Sequence, residues 1–394
     1  MKRLFIICAA AVMCVGSAVA KPQITPIPES AWADEQRAVV AQFWKGPVGN
    51  DVKTFVTNPE LVRGLAPFAN YITNDTTLTP RQSALLILRT AWLTHSDYLW
   101  AKHSGGAGLS APEIRRVAEG PDAKGWTPLE AALLRAADDL HRNSIITTPT
   151  WTALAKDFGT PQLMDTTFTV AEFTMLATTL NSIGVEPDAG VVPPLADLAR
   201  PAMGQRSHDF LSTPRIPPLA PEKWTPEVRK LIDPTNAGRP VIGVLRTFAQ
   251  HPAMYVKRQT ISDHIRSHTS LTPRQRELII MRILYRCSGH GEWSLHGAGA
   301  PNFGIEAAEI QRTAVPGYAG WSAADANMMR AVDEIYDNDK VSAETWAALK
   351  GQFEDRQIMD LLVTAGGYRM VAMAINTFGV PLEPGRVMIP VTTP

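Results

Sequence analysis

Apolar residues along the chain recur at spacings of three and four, the period of a helix with one buried face. After Pro273, for example, Leu278, Met281, Leu284 and Tyr285 fall on one side of a helix. Alternating apolar and polar positions bounded by hairpin turns, the pattern of a half-buried strand, are absent. The pattern therefore predicts an all-α protein with little or no sheet.

Helix starts are marked by capping residues. Residues 272–275 are Thr-Pro-Arg-Gln, a T-x-x-Q capping box with proline at the first helical position. Residues 79–82 have the same sequence, and Thr148 with Pro149 predicts another helix start.

The recurrence of this capping box belongs to a longer internal repeat. Residues 78–82 (LTPRQ) return at 271–275, an offset of 193. At the same offset, Arg89, Trp100 and His103 match Arg282, Trp293 and His296. Further along the offset becomes 195, where the matched pairs include Asp165 with Asp360, Asn181 with Asn376 and Gly184 with Gly379. Colinear matches over about 165 residues indicate a tandem duplication.

The duplication predicts two domains of one helical type. The first copy covers 21–190, the second covers 216–394, and each is expected to hold about six helices. Between them, 191–215 carries several prolines without a helical period, which indicates a semi-rigid linker.

The first twenty residues have the features of a secretory signal peptide. Lys2 and Arg3 precede an apolar run, and residues 18–20 (Ala-Val-Ala) form a cleavage site of small residues. Cleavage after residue 20 would deliver the mature chain to the periplasm or the medium, with lipidation at Cys14 as the alternative. No later stretch is expected to be long and apolar enough to span a membrane.

The net charge and the cysteine count exclude several classes of function. The chain has 38 basic and 38 acidic side chains, so its formal net charge is zero. It therefore lacks the excess of positive charge that is typical of proteins that bind nucleic acids or anionic membranes. Cys287 is the single cysteine outside the leader, which excludes an intrachain disulfide and a Cys-x-x-Cys redox pair. The expected partner is a small molecule.

The candidate chemistry is concentrated in the second copy. A helix is expected over 273–288, and a second one restarting near Gly291 would hold Glu292 in its first turn and His296 one turn later on the same face. A carboxylate and an imidazole so placed can share a proton, which suits general acid–base catalysis. Glu277 on the preceding helix would complete a relay.

Other side chains nearby are candidates for substrate binding. The guanidinium of Arg282 matches a carboxylate, although tying helices together is an equal alternative. Tyr285, His290 and Trp293 are candidate pocket residues, with packing the more ordinary role for the tryptophan. A zinc site built from Glu292 and the neighbouring histidines fits no standard ligand spacing, so no metal is expected.

Purely structural roles are the alternative for several residues. Glu292 would then only favour a helix N-terminus through the helix dipole, and His296 would be a core histidine bonded to a carbonyl. Tyr368 lies on an apolar helical stripe and is expected in the core. Asp138 and Asp333, matched across the copies, are expected to bond nearby backbone.

The pattern L-T-P-R-x-R-E-L, followed by Arg282 and by E-W-x-x-H ending at His296, resembles the carboxymuconolactone decarboxylase family, which includes the alkylhydroperoxidase D-like proteins. Residues 216–219, 224–229 and 376–380 resemble that family too. The resemblance covers both copies, hence most of the mature chain. It implies an all-α fold that assembles into trimers or hexamers with sites at helix interfaces, so a homo-oligomer is expected.

The same resemblance carries implications for the site. In the peroxidase branch, a glutamate, a Cys-x-x-Cys pair and a histidine form a relay. Glu277 and His296 match its glutamate and histidine, whereas Gly289 and Glu292 stand where the cysteines would be. Dithiol peroxide reduction is therefore not expected. The E-W-x-x-H form is similar to the decarboxylase-like branch, which uses acid–base chemistry on small organic acids or lactones without a metal or organic cofactor.

The first copy departs from this pattern. Leu99 stands at the position of Glu292, and Ala84 stands at the position of Glu277. What remains of a degenerate first site is His103, Arg89, Asp97 and Trp100.

The sequence thus predicts an exported, cofactor-free acid–base enzyme with its main site in the second copy. Its expected reaction is decarboxylation, or a related carbon–carbon cleavage or lactone conversion, of a small organic acid derived from an aromatic compound. A non-catalytic binding or scaffold protein is the alternative from another class. A peroxidase of the alkylhydroperoxidase D type, using Cys287 alone, is less favoured.

Overall fold

A computed structural model describes residues 22–386, apart from 106–107, 189, 191–194, 196, 202–210 and 234–239. Within these ranges it contains eighteen α-helices and no strands, which confirms the all-α prediction. The predicted signal peptide and most of the predicted linker lie outside the described residues. The described parts of the linker, at 195, 197–201 and 211–215, contain no helix.

The two copies have the same order of helices. The first copy contains α1 (Asp34–Phe43), α2 (Asn50–Phe55), α3 (Pro59–Asn70), α4 (Pro80–Leu93), α5 (Asp97–Ser104), α6 (Ala111–Glu119), α7 (Pro128–Asn143), α8 (Thr148–Leu154) and α9 (Thr160–Ile183). The second contains α10 (Pro226–Ile232), α11 (Gly243–Phe248), α12 (Pro252–Asp263), α13 (Pro273–Arg286), α14 (His290–Gly299), α15 (Ala307–Arg312), α16 (Ala323–Asn338), α17 (Ala343–Lys350) and α18 (Asp355–Phe378). A π-helical turn follows α3 at Tyr71–Asp75 and α12 at His264–His268.

Each copy therefore has nine α-helices in the described residues, and the expectation of about six is wrong. The additional helices are short. For example, α2 and α11 have only six residues each, fewer than two turns, which is too short for a hydrophobic period to be recognised.

The predicted helix starts are confirmed. Thr79 and Thr272 cap α4 and α13, and in both capping boxes the glutamine side chain accepts a hydrogen bond from the threonine backbone N–H at 2.9 Å. The predicted break after the fourteen residues of α13 is present too, because α14 starts at His290.

The copies pack on each other through matching helices, with α9 against α18 and α3 against α12. Close approach depends on glycine: a Cβ atom on Gly64 would lie 2.6 Å from the Cβ atom of His264. The hydroxyl of Thr260 on α12 donates to the carbonyl oxygen of Gly64 at 2.7 Å. Apolar side chains of both copies form one continuous core.

Buried aspartates join the copies at the ends of α9 and α18. The carboxylate of Asp165 accepts a hydrogen bond from Tyr71 of its own copy at 3.1 Å and lies 3.2 Å from Nε2 of His251 in the other copy. Its counterpart Asp360 lies 2.8 Å from Nε2 of His264 in its own copy and accepts a bond from an asparagine of the first copy. The aspartates thus form two equivalent links across the interface.

Helix α18 is long and apolar enough to cross a membrane by length and composition, so the expectation that no stretch after the leader would qualify is wrong. However, 94% of its most apolar window is buried inside the protein. That burial is typical of a core helix, and α18 packs against α9, α13 and α16.

Candidate active site

The turn between α13 and α14 positions the candidate catalytic residues. Ser288 has a left-handed backbone with φ of 55°, and the chain reverses there. Gly289 follows, where a Cβ atom would lie only 3.0 Å from the Leu284 side chain. This tight reversal lays α14 back against α13, so that residues of both helices meet at one place.

Where the two helices meet, His296 of α14 contacts Glu277 of α13. The Nδ1 atom of His296 lies 2.6 Å from Oε1 of Glu277, and its Nε2 atom lies 3.8 Å from Oε2 of Glu292. The ring of Tyr368 on α18 meets the imidazole edge to face at a centroid distance of 5.1 Å. The structure thus brings the three predicted catalytic residues together.

Burial and neighbouring charge shift the pKa values of these groups. Burial opposes a charge on His296, but the hydrogen bond to Glu277 and the charges of Glu277 and Glu292 outweigh it, so the pKa of His296 is raised. Burial raises the pKa of Glu292, against the opposing charges of His296 and Arg258. An imidazole and a carboxyl placed in this way can exchange protons with a bound molecule, as general acid–base catalysis requires.

A cavity of about 440 Å³ opens beside this group, and second-copy helices line it. Its apolar wall is formed by Phe248, Ile265, Ile280, Phe303 and Tyr368. Its polar groups are Arg258, Arg276, Glu277, Glu292 and His296. The combination of an apolar wall with a few convergent polar groups is typical of a small-molecule site.

Tyr368 and Arg258 are among the residues of this cavity that the sequence did not predict. Tyr368, expected in the core, instead lines the cavity against His296. Arg258 on α12 was not singled out, although it contributes a buried positive charge. A signal for Arg258 exists in the repeat, because the matching residue of the first copy is Leu65.

Arg282, predicted to bind a substrate carboxylate, does not line the cavity. Its guanidinium donates to both carboxylate oxygens of Asp333, at 2.8 and 2.7 Å, and to the carbonyl oxygen of Val315. Arg89 makes the equivalent pair with Asp138 in the first copy. The two aspartates therefore bind arginines rather than nearby backbone, and this placement favours the helix-tying role for Arg282.

The other predicted binding residues also lie outside the cavity lining. Trp293 is buried and donates from Nε1 to the Thr313 hydroxyl at 3.1 Å. Tyr285 packs its ring against the Arg282 guanidinium, and His290 is buried at the start of α14. These contacts are packing and helix-joining contacts.

Among the described residues, no carboxylate is bonded to the histidine of the first copy. His103 packs edge-on against Phe173 at 5.1 Å, and burial lowers its pKa to about 4. Asp97 pairs with Arg200 at the surface instead. Trp100 is buried and packs against another tryptophan. The predicted members of the first site thus each contact a different partner.

In the described part of the chain, no group of three His, Cys, Asp or Glu side chains is arranged to hold a metal ion. Cys287 is buried at the end of α13 and is not among the residues that line the cavity.

No known family model matches this chain, and a comparison with curated proteins also finds no match.

Proposed function

We propose that the second copy is a cofactor-free acid–base enzyme that decarboxylates a small organic acid, or carries out a related carbon–carbon cleavage or lactone conversion. The observation that carries the proposal is the 2.6 Å bond between His296 and Glu277 inside a cavity with an apolar wall. Because Glu277 occupies Nδ1, the Nε2 atom is the nitrogen left to exchange a proton with a bound molecule.

The proposed decarboxylation needs only these residues and a proton from solvent. The bond to the carboxyl carbon breaks, carbon dioxide leaves, and the electron pair delocalises into a neighbouring carbonyl group of the substrate. The imidazolium of His296 then protonates the carbon that held the carboxylate, and solvent returns a proton to the imidazole. The raised pKa of His296 keeps the imidazolium available near neutral pH.

Glu292 has the complementary role in this proposal. Its pKa is raised by burial, so its carboxyl can hold a proton that a fully exposed glutamate would lose. In a lactone conversion, Glu292 and His296 would remove a proton at one position and return it at another.

The E-W-x-x-H pattern that ends at His296 resembles the carboxymuconolactone decarboxylase family, and this resemblance supports the proposed acid–base chemistry. We propose that the copies are tandem alkylhydroperoxidase D-like domains and that the leader exports the chain to the periplasm or medium. By the same resemblance we expect a symmetric homo-oligomer, which light scattering on the mature chain tests.

A non-catalytic binding protein is the second candidate. The first copy favours it, because no carboxylate of the described residues is bonded to His103 and the pKa of that imidazole is lowered to about 4. His103 is therefore a neutral imidazole near neutral pH and is not available as a general acid.

The deciding experiment offers aromatic-derived acids and lactones to the mature protein and follows carbon dioxide release and ultraviolet absorbance. Turnover that His296→Ala abolishes would support the enzyme. Binding without turnover for every compound would support the binding protein. Efficient reduction of an organic hydroperoxide with a dithiol would contradict both.

A further inference from the structure

Arg258 is a buried cation without a partner. It is 6% exposed, and within the described residues its guanidinium donates no hydrogen bond and forms no ion pair. The ring of Phe248 lies 5.4 Å from the Cζ atom. Removing a guanidinium from water without hydrogen-bond acceptors is unfavourable, so such a group is positioned to receive an anion.

Among the described residues, the two carboxyl groups that act electrostatically on Arg258, Glu172 and Glu292, form no ion pair with it. Glu172 of the first copy acts on Arg258 electrostatically, but burial raises the pKa of Glu172 to about 8, so its carboxyl is largely protonated at neutral pH. Burial also raises the pKa of Glu292. The carboxylate of Glu277 is already bonded to His296.

The fold does not require an arginine at this position. The matching residue of the first copy is Leu65, which is buried in an equivalent helix of the same length. Helix packing alone is therefore satisfied by an apolar side chain. The charge at Arg258 is an addition specific to the copy that has the His296–Glu277 pair.

The rest of the cavity wall is apolar, so it would fit a compact apolar part of a ligand. Phe248, Phe303 and Tyr368 contribute aromatic rings, and Ile265 and Ile280 contribute aliphatic side chains. The 440 Å³ volume is of the size that accommodates one small molecule.

We propose that Arg258 binds the carboxylate of the ligand, and that the ligand is a monocarboxylate with a compact apolar body such as one aromatic ring. The bidentate geometry of guanidinium and carboxylate gives the specificity for the acid over a neutral analogue of the same shape. The inference rests on the proposed function for its choice of cavity, but it concerns binding and not turnover.

Isothermal titration of the full mature protein with benzoate and benzamide tests the proposal, because the two probes share a shape and differ in charge. The wild type should prefer benzoate by about tenfold or more. Arg258→Met should remove the preference, and so should Arg258→Leu, which introduces the residue type of the first copy. Arg266→Met is the matched control: this exposed arginine at the rim pairs with Asp263, and the preference should survive its loss.

Two results would overturn the proposal: a wild type that does not prefer benzoate, or an Arg258 variant that keeps the full preference. His296→Ala separates this inference from the proposed function: turnover should be lost, whereas adding Arg258→Met to His296→Ala should still lower the remaining preference for benzoate. Loss of the preference in Arg258→Met with no turnover in the wild type would reject the enzyme and retain the anion site.

Discussion

The imidazole of His296 and the carboxylate of Glu277 lie 2.6 Å apart on two different helices, nineteen residues apart in the sequence. Neither helix forms the pair alone. The left-handed turn at Ser288 brings α14 back onto α13, so the proton-exchanging group depends on the geometry of a single reversal.

The first prediction compares the two copies. His296→Ala should lower turnover by about 100-fold or more, the usual size of an acid–base contribution, whereas His103→Ala should have little effect. His103→Ala should melt close to the wild type, and His296→Ala should melt at a lower temperature because it loses the bond to Glu277, yet both should remain folded at the assay temperature, which differential scanning calorimetry checks. Equal losses of turnover in two well-folded variants would show that activity has been assigned to the wrong copy or is shared.

The second prediction concerns the pH dependence of the His296–Glu277 pair. The folded protein holds the His296 proton more tightly than the unfolded chain, whose ordinary pKa is 6.5. The pair therefore adds stability that is fully present below pH 6.5 and is lost as pH rises through the raised pKa.

Glu277→Gln keeps the shape of the side chain and removes its charge. The free energy of unfolding of this variant should fall below that of the wild type at low pH, and the difference should narrow at high pH. Denaturant titrations across pH measure it, and NMR should show a lower pKa for His296 in the variant. A His296 pKa that does not change would contradict the assigned cause.

The third prediction concerns Arg282. Because its guanidinium is buried against Asp333, Arg282→Met should lower the free energy of unfolding by about 3 kcal/mol, leaving the carboxylate with the longer contact to Arg286 and the hydrogen bond from Tyr318. The double variant with Asp333→Leu should recover part of the loss, as measured by urea unfolding. A stable Arg282→Met protein that no longer binds benzoate would instead favour the anion-binding role.

The fourth prediction concerns Glu172. The pKa of Glu172 is about 8 in the folded protein, above its ordinary value of 4.5. Between these two pH values the folded state therefore binds more protons than the unfolded chain. The free energy of unfolding falls as the pH rises across that window. Glu172→Gln should therefore stabilise the protein by more than about 1 kcal/mol at pH 8, with no gain near pH 4.5. The exposed Glu119→Gln serves as the control, and a pH-independent gain would contradict this explanation.

Local rules in the sequence predicted much of the fold. Capping boxes identified the starts of α4 and α13, and the Ser288–Gly289 pair identified the reversal that forms the site. These features depend on residues within one or two turns of each other, which is why a single sequence is enough to find them.

The less predictable residues depend on tertiary contacts. Arg282 is next to the motif, but its partner Asp333 is 51 residues away, and only the packing of α13 against α16 brings them together. Arg258 and Tyr368 line the cavity because of the rotation of α12 and α18 about their axes. A hydrophobic period does not determine that rotation when both helices are buried on several sides.

The links made by Asp165 and Asp360 bear on how this gene can change. Each aspartate has partners from both halves, so deleting the first half would remove one partner, Asn58, from the buried carboxylate of Asp360 and uncover the apolar surface of α18. The second half thus needs the first as a packing partner for its buried surface, independently of the acids that are absent at Leu99 and Ala84.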